Sequence, residues 1–203
     1  MRRPPSLLLR AGVVTLLLLA ACNRDQDPNI DASGTISTST STTVVLSSAE
    51  GDPSPPVSSP AGKERGYLTG VRVDTKDGGA SRVVFEFDPI LPGYKLDFVD
   101  RPVTMDGSGA EVKVGGEAVL GVTMENAAQA RFEGEKVILT YPGLRRLKPT
   151  GAGAETASVV EVVEAGDFEG TVHWVIGLRQ KDAKVSVSRL TDPNRLVLDF
   201  SPA

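Results

Sequence analysis

One imidazole, one thiol and one indole are all that 203 residues provide: His173, Cys22 and Trp174. A catalytic His needs a nucleophile and an orienting acid beside it. No G-x-S-x-G segment or other nucleophile signature is present, so a surface role is expected for His173. Trp174 would suit sugar stacking, but Val172, Ile176 and Leu178 share its face in an alternating strand and predict a core position. Glu155, Glu161, Glu164, Asp167 and Glu169 have enough oxygens to interest a hard cation. Their spacing fits no calcium loop, and solvated charges at a sheet edge are the expectation; no metal or other cofactor is predicted. Arg145 and Arg146, close to Lys148, form the densest basic spot and suit carboxylates. Ordinary solvated loop charges explain them as well. The candidate ligand-binding residues are therefore Arg145, Arg146 and His173, and no catalytic residue is assigned.

The segment preceding Cys22 explains the thiol. Arg2, Arg3 and Arg10 flank the start of an apolar run, Ala11 to Ala21, which ends in small residues. That is the layout of a bacterial export signal. An 11-residue helix would cover about 17 Å of a hydrocarbon layer about 30 Å thick, too little to span it. Leu19-Ala20-Ala21-Cys22 resembles the lipobox of bacterial lipoproteins. The resemblance implies cleavage before Cys22 and a diacylglyceryl thioether on its sulfur. Each buried CH₂ contributes about 0.8 kcal/mol, and two chains hold where one is marginal. A single Cys also excludes an internal disulfide and a multi-thiolate metal site.

Loss of the signal removes three of the 22 basic residues and enlarges an acidic excess that already gives a net charge of −4. A surface of that sign repels phosphate backbones and anionic headgroups, so no nucleic-acid partner is expected. Asn23 to Glu64 holds 9 Ser, 5 Thr, 5 Pro and 3 Gly and no aromatic residue, a composition that buries too little to offset ordering. It reads as a disordered tether able to hold a domain away from the bilayer. Its Ser/Thr run, Ser37 to Thr43, suits either O-linked sugars or a plain spacer. The expected organisation is a signal peptide at 1–21, the acylated Cys and tether at 22–65, and a folded domain at 66–203.

From Tyr67 the pattern becomes short alternating runs separated by Gly, Pro, Asp and Asn. Strands are predicted at Leu68–Asp74, Arg82–Phe87, Tyr94–Phe98, Val103–Met105, Glu111–Val114 and Leu120–Met124. Others follow at Lys136–Tyr141, Ser158–Val163, Thr171–Leu178, Lys184–Leu190 and Arg195–Phe200. About eleven short, mostly antiparallel strands predict an all-β fold, a β-sandwich. Glu125–Arg131 could make a helical turn or two, and Ala152–Ala157 a loop or short helix. Asp74 to Gly79 reads as a hairpin turn. Arg82-Val-Val-Phe-Glu-Phe87 and Arg195-Leu-Val-Leu-Asp-Phe200 share one plan, with the charged residues on one face. Antiparallel pairing would set Arg82 across from Asp199 and Glu86 across from Arg195.

Four stretches together resemble the AMIN-like domain of actinobacterial lipoproteins: Arg82–Asp88, Pro92–Tyr94, Gly166–Gly170 running on to Trp174–Leu178, and Asp192–Phe200. The resemblance spans roughly Gly66 to Ala203, and the lipobox and tether match the usual arrangement. It implies a β-sandwich. AMIN domains proper, to which the AMIN-like domain is similar, localise envelope proteins by binding peptidoglycan, and the resemblance leaves the ligand of the AMIN-like domain open. No amidase-like segment accompanies it, which points away from targeting an enzyme in cis. The reading is a non-catalytic module on the extracytoplasmic face of the cell membrane, held in the lipid bilayer by acylated Cys22. Its expected partner is peptidoglycan. An interaction lipoprotein recruiting an envelope protein is the alternative, and an envelope hydrolase lacks the residues for the task.

Overall fold

The computed structural model describes residues 57–202 and the backbone of Thr40–Val45; the signal segment and Cys22 lie outside the described residues. Two six-stranded sheets enclose the core. The first runs in the order β1 (Thr40–Val45), β13 (Lys184–Leu190), β14 (Asn194–Phe200), β4 (Ser81–Asp88), β3 (Gly66–Thr75), β7 (Ala127–Ala128). The second runs β10 (Arg146–Leu147), β11 (Val159–Phe168), β12 (Thr171–Leu178), β6 (Ala118–Glu125), β5 (Gly93–Phe98), β2 (Val57–Ser59). A separate hairpin joins β8 (Ala130–Glu133) to β9 (Lys136–Leu139). Every pairing is antiparallel except β3 with β7. The fold is an all-β sandwich, as the alternation predicts.

The first sheet follows its sequence pattern closely. Val83, Phe85 and Phe87 of β4 and Leu196, Leu198 and Phe200 of β14 are buried inward. The turn before β4 is a short 3₁₀ segment at Asp77–Gly79, where Gly78 takes φ 74°. The echoing strands pair as expected, Arg82 with Asp199 and Arg195 with Glu86. Arg82 grips Asp199 through two hydrogen bonds of 2.8 and 2.7 Å, and Lys76 adds a third at 2.8 Å. Glu86 differs: its ion pair, at 2.9 Å, is with Arg72 on the other flanking strand rather than with Arg195.

Burial pushes the Asp199 carboxyl up, but the hydrogen bonds and charges of Arg82 and Lys76 outweigh it and hold the group below its usual range. A depressed carboxyl contributes stability above its unfolded value, about 3.9, and loses it as pH falls through the folded value. Side-chain exposures of 41% and 29% leave this pair well screened. Asp199→Asn is therefore expected to cost no more than about 1 kcal/mol at pH 7. The gap between the two proteins should close in urea titrations below about pH 3.9.

The remaining expectations need adjustment. Thr40–Val45 and Val57–Ser59, both inside the stretch read as a tether, are strands at the sheet edges. The first contains β-branched Thr and Val, suited to a pleated surface. In the second, Val57 packs against the core, and Arg189 of β13 donates to the Ser59 hydroxyl while its guanidinium lies over the Tyr94 ring. Glu125–Arg131 is not helical: it ends β6 and supplies β7 and the start of β8. Ala154–Thr156 is a short 3₁₀ turn, within the loop-or-helix expectation. Val103–Met105 and Glu111–Val114 share a single bridge, Thr104 to Glu111, and belong to a long connection over 99–116.

That connection covers the outer face of the second sheet. Val103 and Val112 pack on Val119, Val163, Ala165 and Val175 to form a second, smaller core. Strands buried on both faces lose their polar alternation, which is why β12 reads as a nearly continuous apolar run. The Asp106 amide donates to the Ala165 carbonyl at 2.8 Å and the Gly115 amide to Glu161 at 2.7 Å. Glycines on the strands admit this close approach. A methyl on Gly177 would fall on the Gly115 carbonyl oxygen, and one on Gly166 would lie 2.6 Å from Asp106 Cβ.

Candidate functional site

β11 carries the acids, and two register shifts decide where they point. The shifts lie between Val159 and Glu161 and between Glu164 and Gly166. Each inserts a residue and turns the strand over. Glu161 therefore sits opposite Gly177 on the outer face, whereas Glu164 and Asp167 sit opposite Trp174 and Val172 on the inner face. Glu161 and Glu164 are buried, which corrects their assignment as solvated edge charges. They tolerate burial because they are paired.

The pairing uses the predicted basic spot. Arg146, in β10, reaches Glu161 at 2.7 Å, and Arg145 reaches Glu164 at 3.0 Å. Arg146 also donates to the Lys113 carbonyl at 2.7 Å, tying the covering connection to the sheet. Burial pushes Glu161 up, but Arg146 and the Gly115 amide overcome it and hold the carboxyl below its usual range. Arg145 and Arg146 are thus partners of buried acids, not free loop charges.

Where the inner face opens at its end, a cleft of ≈310 Å³ is lined by Met105, Asp106, Gln129, Ala130, Leu139, Tyr141, Arg145, Glu164, Gly166 and Asp167. A second cleft of ≈360 Å³ lies on the outer side, against Arg146 and Val163, and shares Met105, Arg145 and Glu164 with the first. The Arg145–Glu164 pair is a wall of both. His173 faces away from Trp174, as alternation predicts, yet its side chain is only 17% exposed and so is not a surface group. Its Nδ1 lies 3.5 Å from Asp106 Oδ2. The structure thus brings Arg145 to the first cleft, Arg146 to the second, and His173 beside the first through Asp106.

Glu164 is the centre of this arrangement. Its Oε1 accepts from Gln129 Nε2 and from Arg145, both at 3.0 Å. Its Oε2 is buried and has no hydrogen-bond partner. An unmet buried acceptor costs about 1–3 kcal/mol, more when charged, so the site retains an unused capacity for a donor. Asp167 accepts from the Gln129 amide at 2.8 Å. Tyr141 packs edge-on against Trp174 at 5.7 Å, and its hydroxyl donates to the Leu144 carbonyl at 2.7 Å. Burial raises the Tyr141 phenol above its usual value, with the Glu164 charge adding to the effect. Trp174 itself is fully buried, which agrees with a core role. Sequence reasoning missed Asp106, Gln129 and Tyr141. The Pro142-Gly143 strand end pointed near Tyr141, and no signal marked the other two.

The β8–β9 hairpin forms the apolar flank. Phe132 pairs with Val137 and Ala130 with Leu139, so these four share one face. Phe132, Val137 and Leu139 are 77%, 58% and 64% exposed, and nearby Leu144 is 71% exposed. Among the described residues, no group of three or more His, Cys, Asp or Glu is placed to hold a metal ion. Nor is any described helix long and apolar enough to cross a membrane.

A family model, the AMIN-like domain, matches residues 66–202. The chain belongs to the AMIN-like family. The match begins at the first residue of β3 and covers the sandwich except its two edge strands, β1 and β2. Comparison of this AMIN-like chain with curated proteins and with solved structures returned no match. AMIN-like domains are non-catalytic binding modules.

Proposed function

We propose that the protein is an exported lipoprotein, anchored by acylated Cys22 on the extracytoplasmic face of the cell membrane, whose AMIN-like sandwich binds peptidoglycan. The observation that carries this reading is the AMIN-like match over residues 66–202. The lipobox-like Leu19-Ala20-Ala21-Cys22 supports the anchor. The mature chain, residues 22–203 bearing Cys22→Ser, should sediment with purified sacculi at low salt. Retention no better than that of an unrelated acidic protein would overturn wall binding. In cells, a clickable fatty acid should label the wild-type chain and leave Cys22→Ser unlabelled in the soluble fraction. Equal labelling of the two would overturn the anchor.

A second reading rests on the exposed apolar face of the hairpin, Phe132, Val137 and Leu139 with Leu144 nearby. Apolar side chains clustered in the open mark sites of protein association. An interaction lipoprotein recruiting an envelope protein would use this face. A photo-crosslinker at position 132 should then capture one partner that Leu139→Asp abolishes, and capture of nothing beyond background would remove the reading.

A further inference from the structure

We infer that the cleft between Glu164 and the β8–β9 hairpin takes an alkylammonium group, a protonated primary amine at the end of a short aliphatic chain. This deepens the wall-binding reading and rests on it for the source of the amine. Asp106, Glu164 and Asp167 bring three carboxylates to the cleft, and Arg145 is the one Lys or Arg on its wall. Arg145 is already committed to Glu164 Oε1. The oxygen left over, Glu164 Oε2, belongs to a side chain 4% exposed and has no donor. What the cleft lacks is therefore an N–H donor and positive charge. A ligand carboxylate or phosphate would meet carboxylates, so the site has the opposite sign to that suggested by Arg145 and Arg146 in sequence. A neutral hydroxyl would supply the hydrogen bond and leave the charge unbalanced. An ammonium supplies both, with three donors to share among carboxylates. Leu139 and Ala130 line the same cleft and suit the methylenes that carry the amine. A volume of ≈310 Å³ accepts a side chain, not a folded segment.

Two sources offer this chemistry: the side-chain amine of a diamino acid in a peptidoglycan stem peptide, and a lysine of a protein. The wall reading favours the first. The test uses the mature chain, residues 22–203 with Cys22→Ser, followed by NMR during titration with N-acetylcadaverine. Its diacetylated, uncharged analogue serves as control. The charged probe should shift the amides of Gln129, Glu164 and Asp167 and saturate, while the control leaves them in place. Glu164→Gln should weaken binding about tenfold, as a charge-assisted hydrogen bond becomes a neutral one. Should that variant fold poorly, Asp167→Asn, at an exposed position, should still weaken the probe while keeping the wild-type spectrum elsewhere. Equal shifts with both probes, or none with either, would overturn the ammonium site. In parallel, sacculi are compared before and after N-acetylation of their free amines. Reduced sedimentation after acetylation supports the inference. Undiminished sedimentation overturns the stem-peptide amine and leaves wall binding standing. Probe binding without any sacculus retention upholds the ammonium site, transfers its source to a lysine, and overturns the wall reading instead.

Discussion

Trp174→Ala should cost the sandwich about 3–5 kcal/mol, the range for deleting a large buried aromatic. For a domain of this size that lowers Tm by about 10–15 °C. Trp174 is fully buried, and two rings pack edge-on against it, Phe85 of the opposite sheet at 6.1 Å and Tyr141 at 5.7 Å. Alanine would remove the body that both rings rest on. The backbone is fixed by β6 and β11 on either side, so the void cannot close by strand movement. Trp174→Phe should cost less than half as much. The indole Nε1 has no hydrogen-bond partner, so its removal forfeits volume and no bond. Thermal and urea unfolding of the three proteins give the comparison. A drop of under 1 kcal/mol for Trp174→Ala would contradict the packing described.

Gly177→Ala is the second large effect, expected at about 2–3 kcal/mol because it overpacks a contact between backbones. The added methyl would fall on the Gly115 carbonyl oxygen, with Val114 Cγ2 only 3.1 Å away. Backbone cannot turn aside as a side chain can. Relief comes by lifting the end of the 99–116 connection, which would pull the Gly115 amide from Glu161 and loosen Val112 from the second core. The damage should be local in hydrogen exchange: amides of 103–115 lose protection, while those of β4 and β14 keep theirs. Loss of protection spread evenly over both sheets would contradict the assignment of this connection as a separate cover.

These two sites show how far the sequence could be read. β4 and β14 have one face inside and one carrying charge, so period two was plain and even the Arg82–Asp199 pairing followed from it. The central strands of the second sheet, β6, β11 and β12, are buried on both faces, and alternation cannot reveal a cover made by 99–116. Glu161 and Glu164, expected as solvated edge charges, are buried, and alternation could not have placed them either. Strict alternation assigns faces by counting, and two register shifts break the count between Val159 and Gly166. Arg145 and Arg146 were found by composition, but their partners Glu164 and Glu161 are 19 and 15 positions away and joined only by the β10–β11 pairing. Gln129 and Asp106 lie on connections whose paths depend on the same packing.

The pairing of β1 with β13 matters beyond the edge it covers. Thr40 to Val45 match Arg189 to Lys184 residue for residue. With Cys22 in the bilayer as proposed, the chain from that anchor to Thr40 spans at most about 60 Å, against about 120 Å to Val57, where β2 would hold it if β1 were released. Peeling six residues from one sheet edge would therefore about double the height above the lipid that the clefts can sample. Hydrogen bonds along a single strand thereby set the reach of the proposed anchor.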